Sequence, residues 1–439
     1  MATSTLEIAP RHGLGRIHRR VFARWWEGGF ASTLFAQMVV LGLGTFTGVV
    51  SARLLGPQGR GELAALILWP SALVMLFSLG INQAIVFHVG QKRDKISEVA
   101  TGAGAIGLAQ SLGVVVVGLL VIPLALHRYP PEVRHLALVF LFSTPFLMLG
   151  GYPANLLQGK LDFLSFNAIR TIAPLLYAVG LVVLLLSGRA NLRDVVGFQM
   201  AGYVVALAAG VWLLLRKEKA RLFLKGRVVN SLLSFGWKTQ LATVTSYINQ
   251  RVDQLLLSLL VGPRELGLYV VAVTVSLSLS FLPQASAMVT LAKGSNLPRE
   301  GARAVVASSF RTSLAWLAAG CATLFVAAPW LITRVFGPPF AASGLACRIL
   351  LPGSIALGLN QLLYEGARSL NDPALPSYSE GLAAVLTCAG LYLLLPRFGF
   401  LGAAIASTVA YTSSLVLTLA LYRLRLRFPA RELFGGAAV

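Results

Sequence analysis

The sequence predicts an all-α polytopic membrane protein with about twelve transmembrane helices, arranged as two pseudo-twofold-related six-helix halves around a central cavity. Three observations support this prediction: the composition, the apolar runs and a repeated corner motif. Apolar residues make up 56% of the chain and charged residues 12%, and the mean hydropathy is +0.75. Such a composition cannot cover a water-facing surface, so most of the exterior must face lipid.

Apolar runs long enough to cross a bilayer recur through most of the chain. About 20 residues are needed, because the hydrocarbon is roughly 30 Å thick and a helix rises 1.5 Å per residue. The runs predict spans at 30–54, 64–88, 99–126, 134–157, 163–187, 194–215, 231–261, 267–291, 304–333, 341–367, 375–395 and 400–422.

The distribution of basic residues predicts the orientation of these spans. The formal net charge is +21, which in a water-soluble protein would suggest nucleic acid as a partner. Most Lys and Arg residues, however, lie in the segments on one side of the predicted spans, including both termini and the linker between the sixth and seventh spans. The positive-inside rule then places both termini in the cytoplasm. Anionic lipid and the membrane potential account for the excess charge, so no nucleic-acid partner is expected.

A corner motif follows both the first and the seventh span. Leu55-Gly56-Pro57-Gln58-Gly59-Arg60-Gly61 matches Val261-Gly262-Pro263-Arg264-Glu265-Leu266-Gly267 in its Gly-Pro pair and in the glycine four residues after the proline. Glycine and proline end a helix and form a turn, so the same joint is expected twice. A repeat half a chain apart favours two halves in parallel orientation, as in transporters with alternating access.

The repeat and the basic segments divide the chain into five parts. They are a basic cytoplasmic N-terminal segment (1–29), a first six-helix half (30–215), a basic cytoplasmic linker (216–230), a second six-helix half (231–422) and a basic cytoplasmic tail (423–439).

The seventh span is the most polar and supplies the first candidate site residues. Asn249, Arg251 and Asp253 lie in it, whereas the first-half counterparts of the two charged residues are Thr45 and Thr47. An ionisable group at mid-bilayer costs about 2.5–3.5 kcal/mol, and such groups usually line a cavity or pair with one another. Arg251 and Asn249 are therefore candidates for substrate binding and Asp253 for ion coupling. The alternative is an ion pair with other helices that only fixes their packing.

Three further cations lie near the cytoplasmic ends of odd-numbered spans: Arg170, Lys238 and Arg311. If they converge, they form a basic vestibule suited to a pyrophosphate, whose charge would be costly to place in hydrocarbon. The alternative for each is snorkelling to the inner headgroups.

Polar side chains also occur in the second and tenth spans. Asn82 and Gln361 are candidates for contact with sugar hydroxyls, and Glu365 for ion coupling. Each lies one helical turn from another polar residue, so each could equally bond a neighbouring helix. Glu365 and Arg368 could form an intrahelical ion pair.

No catalytic, metal or cofactor site is predicted. The five histidines are scattered, and no Walker A sequence is present. Gly102-x-Gly104-x-x-Gly107 spells a dinucleotide fingerprint, but it lies in an apolar span, where small residues favour close helix packing.

Three stretches carry a family resemblance: SARLLGPQGRGELAAL, RVDQLLLSLLVGPRELGLYVVAV and LPRFGFLGAAIASTVAY. They resemble the polysaccharide transporter or oligosaccharide flippase family, of the O-antigen or capsule type, within the multidrug, oligosaccharidyl-lipid and polysaccharide exporter superfamily. The resemblance implies a non-enzymatic flippase that moves a polyprenyl-diphosphate-linked oligosaccharide to the outer face of the inner membrane for surface polysaccharide and lipopolysaccharide biosynthesis. It also implies membrane lipid and polysaccharide polymerase or assembly proteins as partners, and no cofactor.

Two alternatives remain open at this point. One is a cation-coupled multidrug or small-metabolite antiporter of the same superfamily, for which an acidic cavity would be expected. The other is a membrane enzyme of glycan assembly, which would need an essential carboxylate.

Overall fold

The structure is a computed structural model that describes residues 31–91, 95–188, 191–218, 225–372 and 374–435. The described residues form helices and short 3-10 turns without strands. The predicted N-terminal segment 1–29 lies outside them, as do parts of the linker 216–230 and of the tail 423–439. The α-helices are α1 Ala31–Phe77, α2 Ile81–Gly90, α3 Ile96–Ala125, α4 Pro131–Leu141, α5 Thr144–Gly159, α6 Phe163–Ser187, α7 Leu192–Glu218, α8 Gly226–Leu260, α9 Pro263–Leu277, α10 Phe281–Gly294, α11 Arg299–Val335, α12 Ser343–Ser369, α13 Leu375–Leu424 and α14 Ala430–Phe434.

Two of these helices each contain two spans. Helix α1 bends at Gly56, where φ is 67° and ψ is −178°, and α13 bends at Gly399, where φ is 56° and ψ is −136°. A positive φ is accessible to glycine without a steric penalty, so the chain reverses there while helix continues on both sides. Nine described segments are long and apolar enough to cross a membrane. Counting both arms of each bent helix and adding the more polar α8, the described chain has the twelve spans predicted.

The ends of several spans differ from the prediction. The predicted loop 55–63 is helical from Pro57 onward, because proline fits the first turn of a helix. The second span is interrupted at residues 78–80, where Gly80 is left-handed and α2 begins. The fourth and eighth spans each consist of two helices, α4 with α5 and α9 with α10. The tail contains the short helix α14, which the sequence did not suggest.

Helix reversals lie on two opposite faces. Among the described residues, the corner face contains 55–63, 126–130, 188, 191, 261–263, 336–342 and 396–399. The linker face contains 91, 95, 159–162, 218, 225, 294–298, 370–372, 374 and 425–430. At the corner face the two repeated corners contact each other. A Cβ on Gly61 would lie 1.6 Å from the carbonyl oxygen of Pro263, and one on Gly267 would lie 1.9 Å from that of Pro57. Only glycine permits this reciprocal approach of the two backbones.

Two arginines of the first half reinforce this contact. Arg53 donates from Nε and Nη2 to the carbonyl oxygens of Val335 and Arg334, both at 2.6 Å, and Arg128 donates to the carbonyl oxygen of Leu260. These carbonyls end α11 and α8 in the second half. A cation at a helix C-terminus satisfies unpaired carbonyls and interacts favourably with the helix dipole.

The buried apolar residues show how the halves are joined. Near the corner face, one core includes residues of both halves, among them Leu63 and Leu66 of α1 and Leu266 and Tyr269 of α9. Near the linker face the cores are separate: one lies in the second half, and another lies in the first half. The start of α8 belongs to this first-half core through Val228 and Leu232. The halves therefore share one core at the corner face, whereas at the linker face their cores are separate and the start of α8 packs against the first half.

Ion pairs fix the reversals of the linker face. Lys217 Nζ lies 2.7 Å from a carboxylate oxygen of Asp162, and the other pairs are Lys160 with Glu218, Lys225 with Glu98 and Arg425 with Asp372. Asp162 also accepts the backbone N–H of Ser165 at 3.1 Å, which caps α6. Burial acts to raise the pKa of Asp162, but hydrogen bonds from Lys217 and Ser165 outweigh it and lower the pKa.

Candidate functional site

A polar cavity lies within the second half, between α8, α10, α12 and α13. It consists of a larger part of about 760 Å³ and an adjoining part of about 120 Å³. The two parts share Gln250, Gln284, Gln361 and Tyr411. We call the whole the second-half cavity. Five of the predicted site residues line this cavity. They are Asn249, Arg251 and Asp253 of the seventh span and Gln361 and Glu365 of the tenth.

The smaller part is built around Asp253, whose side chain is 3% exposed. Its Oδ2 accepts the hydroxyl of Tyr269 at 2.5 Å and that of Ser407 at 3.2 Å. Its Oδ1 accepts the backbone N–H of Gln254 at 2.7 Å. The carboxyl group thus bridges α8, α9 and α13 through hydrogen bonds, which offset the cost of burying it in an apolar span.

Arg251 lies beside this carboxyl group but is not ion-paired with it. Its Nη1 donates to Oε1 of Gln254 at 3.2 Å, and the side chain is exposed to the cavity. No carboxylate oxygen of the described residues lies within ion-pair distance of Arg251. This agrees with the two-residue spacing, which places the two charges on different sides of α8.

The larger part is rich in hydrogen-bond acceptors. Oδ1 of Asn249, Oδ1 of Asn360, Oε1 of Gln361 and Oε2 of Glu365 have no hydrogen-bond partner among the described residues. Asn249 is oriented by its Nδ2, which donates to the carbonyl oxygen of Glu380 at 3.0 Å. The other carboxylate oxygen of Glu365 pairs with Arg368, as the spacing suggested. These oxygens are buried as well as unpaired, so a rotation of their side chains toward the cavity would let them accept the hydroxyl groups of a ligand.

The three cations of the predicted vestibule have separate neighbours. Arg170 donates to Oε1 of Gln37 at 3.0 Å and lies 5.0 Å from the ring centroid of Phe166. Arg311 donates to the carbonyl oxygen of Glu432 in α14. Lys238 lines a cavity at the start of α8. No described cavity contains two of them.

Asn82 is on α2 in the first half, apart from the second-half cavity. Its Oδ1 accepts a hydrogen bond from Nδ2 of Asn155 at 2.7 Å. The contact joins α2 to α5, which is the helix-bonding alternative considered for this residue.

Sequence reasoning missed several residues of the cavity. Gln284 and Glu380 are polar residues inside apolar spans, a signal that could have identified them. Tyr269, Ser407 and Tyr411 gave no such signal, because tyrosine and serine are common in transmembrane helices and only the packing of α9 and α13 brings them to Asp253.

Comparisons with known proteins agree with this fold and cavity. Residues 27–291 match the family described as polysaccharide biosynthesis protein. A relative from Haloferax volcanii, described as a probable low-salt glycan biosynthesis flippase Agl15, is 22% identical over 270 residues. That match covers 60% of this chain and only 56% of the relative.

Two solved structures share the fold over nearly the whole chain. Lipid II flippase MurJ in an inward closed conformation superposes with a TM-score of 0.77 and 17% identity, covering 91% of this chain and 88% of that one. An inward-facing multidrug resistance MATE family transporter of the MOP superfamily superposes with a TM-score of 0.73 and 14% identity, covering 89% and 94%. The predicted all-helical fold with twelve spans is confirmed.

Proposed function

Because the chain belongs to the polysaccharide biosynthesis protein family, we propose that it is a flippase for a polyprenyl-diphosphate-linked oligosaccharide. It accepts the lipid from the cytoplasmic side of the inner membrane and releases it at the outer face for O-antigen or capsule synthesis. Polysaccharide polymerase or assembly proteins would take up the product. The relatives with a related fold are transporters, which favours transport over catalysis.

The observation that carries the proposal is the chemistry of the second-half cavity. Its unpaired amide and carboxylate oxygens can accept sugar hydroxyls, and Arg251 offers a cation without an acidic partner in the described chain. A guanidinium binds phosphate oxygens with paired, charge-assisted hydrogen bonds. The cavity next to α8 therefore offers hydrogen-bond acceptors for sugar hydroxyls and a guanidinium group for the diphosphate.

Alternating access is supported by the way the halves are joined. Their common core and the paired glycines close the corner face, while the cores near the linker face are separate. A carrier that opens toward the linker face would have this arrangement, and the positive-inside rule assigns that face to the cytoplasm. Rocking of one half against the other would open the corner face and close the linker face.

Asp253 and Glu365 are the proposed ion-coupling residues. Asp253 is buried between hydroxyl groups of α9 and α13, so a change in its protonation or cation binding would alter the contacts between α8, α9 and α13. Glu365 has one paired and one unpaired carboxylate oxygen.

The antiporter alternative rests on the same carboxylates. The second-half cavity contains Asp253, Glu365 and Glu380 together with Arg251 and Arg368. Its charge is mixed, neither the basic cavity expected for a flippase nor the strongly acidic one expected for a cation-coupled drug antiporter.

Transport in reconstituted vesicles tests the proposal. We expect vesicles containing the protein to move a fluorescent polyprenyl-diphosphate oligosaccharide across the membrane and to leave a cationic dye untransported. Gln361→Ala should reduce the rate several-fold by removing a cavity acceptor, whereas Gln158→Ala on α5 in the first half should not change it. Transport of the dye but not of the lipid would contradict the flippase proposal and support the antiporter alternative.

A further inference from the structure

A second cavity lies at the linker-face end of α8, where this helix packs against α2 of the first half. Its volume is about 560 Å³, far more than the ~15 Å³ that one water needs. We call it the α2–α8 cavity. The residues that line it include Phe87, His88, Arg227, Ser231, Ser234 and Lys238.

The charge of the α2–α8 cavity is entirely positive. Arg227 and Lys238 both line it, and none of its lining residues carries a carboxylate. Neither cation is ion-paired with any residue in the described ranges, in contrast to Lys160, Lys217 and Lys225 on the same face. Two unpaired cations with the hydroxyl of Ser234 form a donor set suited to a phosphate group.

Both halves hold the walls of the cavity in place. His88 Nδ1 donates to the carbonyl oxygen of Ala84 at 2.9 Å, and its Nε2 lies 2.7 Å from Oγ of Ser231. The rings of Phe87 and Phe235 stack with their centroids 4.2 Å apart. Contacts between α2 and α8 therefore fix the positions of side chains that line the cavity.

The depth of the cavity indicates which phosphate it meets. From Lys238 to the end of α8 at Leu260 the helix rises by about 33 Å at 1.5 Å per residue. This is close to the hydrocarbon thickness, so Lys238 lies at headgroup depth when Leu260 lies at the opposite boundary. The neighbouring Trp237 is 69% exposed, as is typical of indole rings at the interface.

We propose that the α2–α8 cavity binds the phosphate of an anionic membrane phospholipid. Arg227 and Lys238 bind the phosphate oxygens, and the hydroxyl of Ser234 completes the site, while Ser231 holds His88 in place. The bound lipid contacts both halves, so it favours the arrangement in which the start of α8 packs on α2. This site goes beyond the proposed function, because it requires no transport.

The test uses the full-length protein in nanodiscs with a photoreactive phosphatidylglycerol. We expect labelling of peptides from 81–90 and 226–238, with phosphatidylglycerol competing better than phosphatidylcholine. The double variant Arg227→Gln/Lys238→Gln should bind about 30-fold more weakly, since each cation near a lipid surface contributes roughly a five-fold factor. The charge-preserving Arg227→Lys/Lys238→Arg should retain the labelling and shows whether the site tolerates substitution.

A matched control removes two other exposed cations of the second half, Lys293→Gln/Arg423→Gln, and should leave labelling of 81–90 and 226–238 unchanged. Equal competition by the neutral and anionic lipids, or labelling that survives in Arg227→Gln/Lys238→Gln, would overturn the proposal. Displacement of the probe by a stoichiometric polyprenyl diphosphate would also overturn it and assign the cavity to the cargo. These outcomes do not depend on the transport rate, so they are independent of the flippase assay.

Discussion

Asp253 and Arg251 occupy different environments although only one residue separates them. Asp253 is enclosed by Tyr269, Ser407 and the backbone of Gln254. Arg251 faces the open cavity, and the side-chain amide of Gln254 is its one hydrogen-bond partner among the described residues. Because donors on three helices hold the buried carboxyl group of Asp253, a change in its ionisation can change how these helices pack. Arg251 is exposed to the cavity and can bind a ligand.

Replacement of the two residues separates these roles. Asp253→Asn keeps the shape but cannot ionise, so we expect transport to lose its response to an imposed ion gradient or membrane potential. A charge moving through 100 mV carries about 2.3 kcal/mol, enough to bias two conformations more than tenfold. Arg251→Lys should weaken binding of the diphosphate lipid about tenfold, because lysine lacks the planar fork.

Both variants are measured in vesicles with and without the gradient. Asp194→Asn, on an exposed part of α7 near the corner face, is the matched control and should transport normally. If Asp253→Asn and Arg251→Lys also transport normally under both conditions, the pair is structural, and Glu365 and Asn82 become the next residues to test.

Asp162 shows how a single side chain stabilises a reversal of the linker face. It accepts from Ser165 N–H at the start of α6 and from Lys217 of α7. Asp162→Ala should lower the free energy of unfolding by about 1 kcal/mol through loss of the cap. Asp162→Asn should lower it less, because asparagine also caps helices but does not pair with Lys217.

The pH dependence of this contribution follows from the lowered pKa of Asp162. The stabilisation is present at neutral pH and is lost as the pH falls below about 4, through the folded-state pKa. Thermal unfolding in detergent between pH 3 and 7 checks this. A difference between wild type and Asp162→Ala that does not shrink as the pH falls below about 4 would contradict the assignment.

At the scale of elements, the corners of α1 and α9 determine how closely the halves approach. Gly61 and Gly267 admit the carbonyls of Pro263 and Pro57 at distances that a methyl group would block. Gly61→Ala should therefore loosen the corner face. Disulfide crosslinking between Gln58→Cys and Arg264→Cys should become several-fold less efficient in this background.

Gly44→Ala is the matched control, since a Cβ at Gly44 meets nothing within 4 Å. It should leave crosslinking unchanged. Size-exclusion profiles of both proteins exclude misfolding as the cause of any change. Equal crosslinking in Gly61→Ala and Gly44→Ala would show that the corner glycines do not hold this face closed.

The elements differ in how far the sequence could predict them. Hydrophobic length identified the spans, and the Gly-Pro corners identified where α1 turns, because these are local properties of the chain. The seventh span was found in spite of its polarity, and its Asp253 was recognised as unusual. The neighbours of Arg170, Lys238 and Arg311 could not be predicted, because helix rotation and tilt are set by packing against other helices.

At the scale of the whole molecule, α8 links the two halves. Its start packs into the first-half core through Val228 and Leu232, and Gln240 donates to the carbonyl oxygen of Met75 at 2.6 Å. Farther along, Asn249 and Asp253 bond to α13 of the second half. A rocking motion that closes the linker face must therefore change contacts along α8, next to the second-half cavity.

The orientation of the whole molecule is the last prediction. Most basic residues of the sequence lie in the N-terminal segment 1–29, the tail and the segments between spans on the linker side, and the number of spans is even. Both termini should therefore lie in the cytoplasm.

A reporter that is active only in the cytoplasm should give signal when fused after Val439 and none when inserted at His127, in the corner-face reversal between α3 and α4. A reporter that is periplasm-specific should give the opposite pattern at both positions. Cytoplasmic activity of a stable fusion at His127 would show that the molecule has the opposite orientation. The linker face would then lie on the outer side, where a lipid made in the cytoplasm could not enter between the halves.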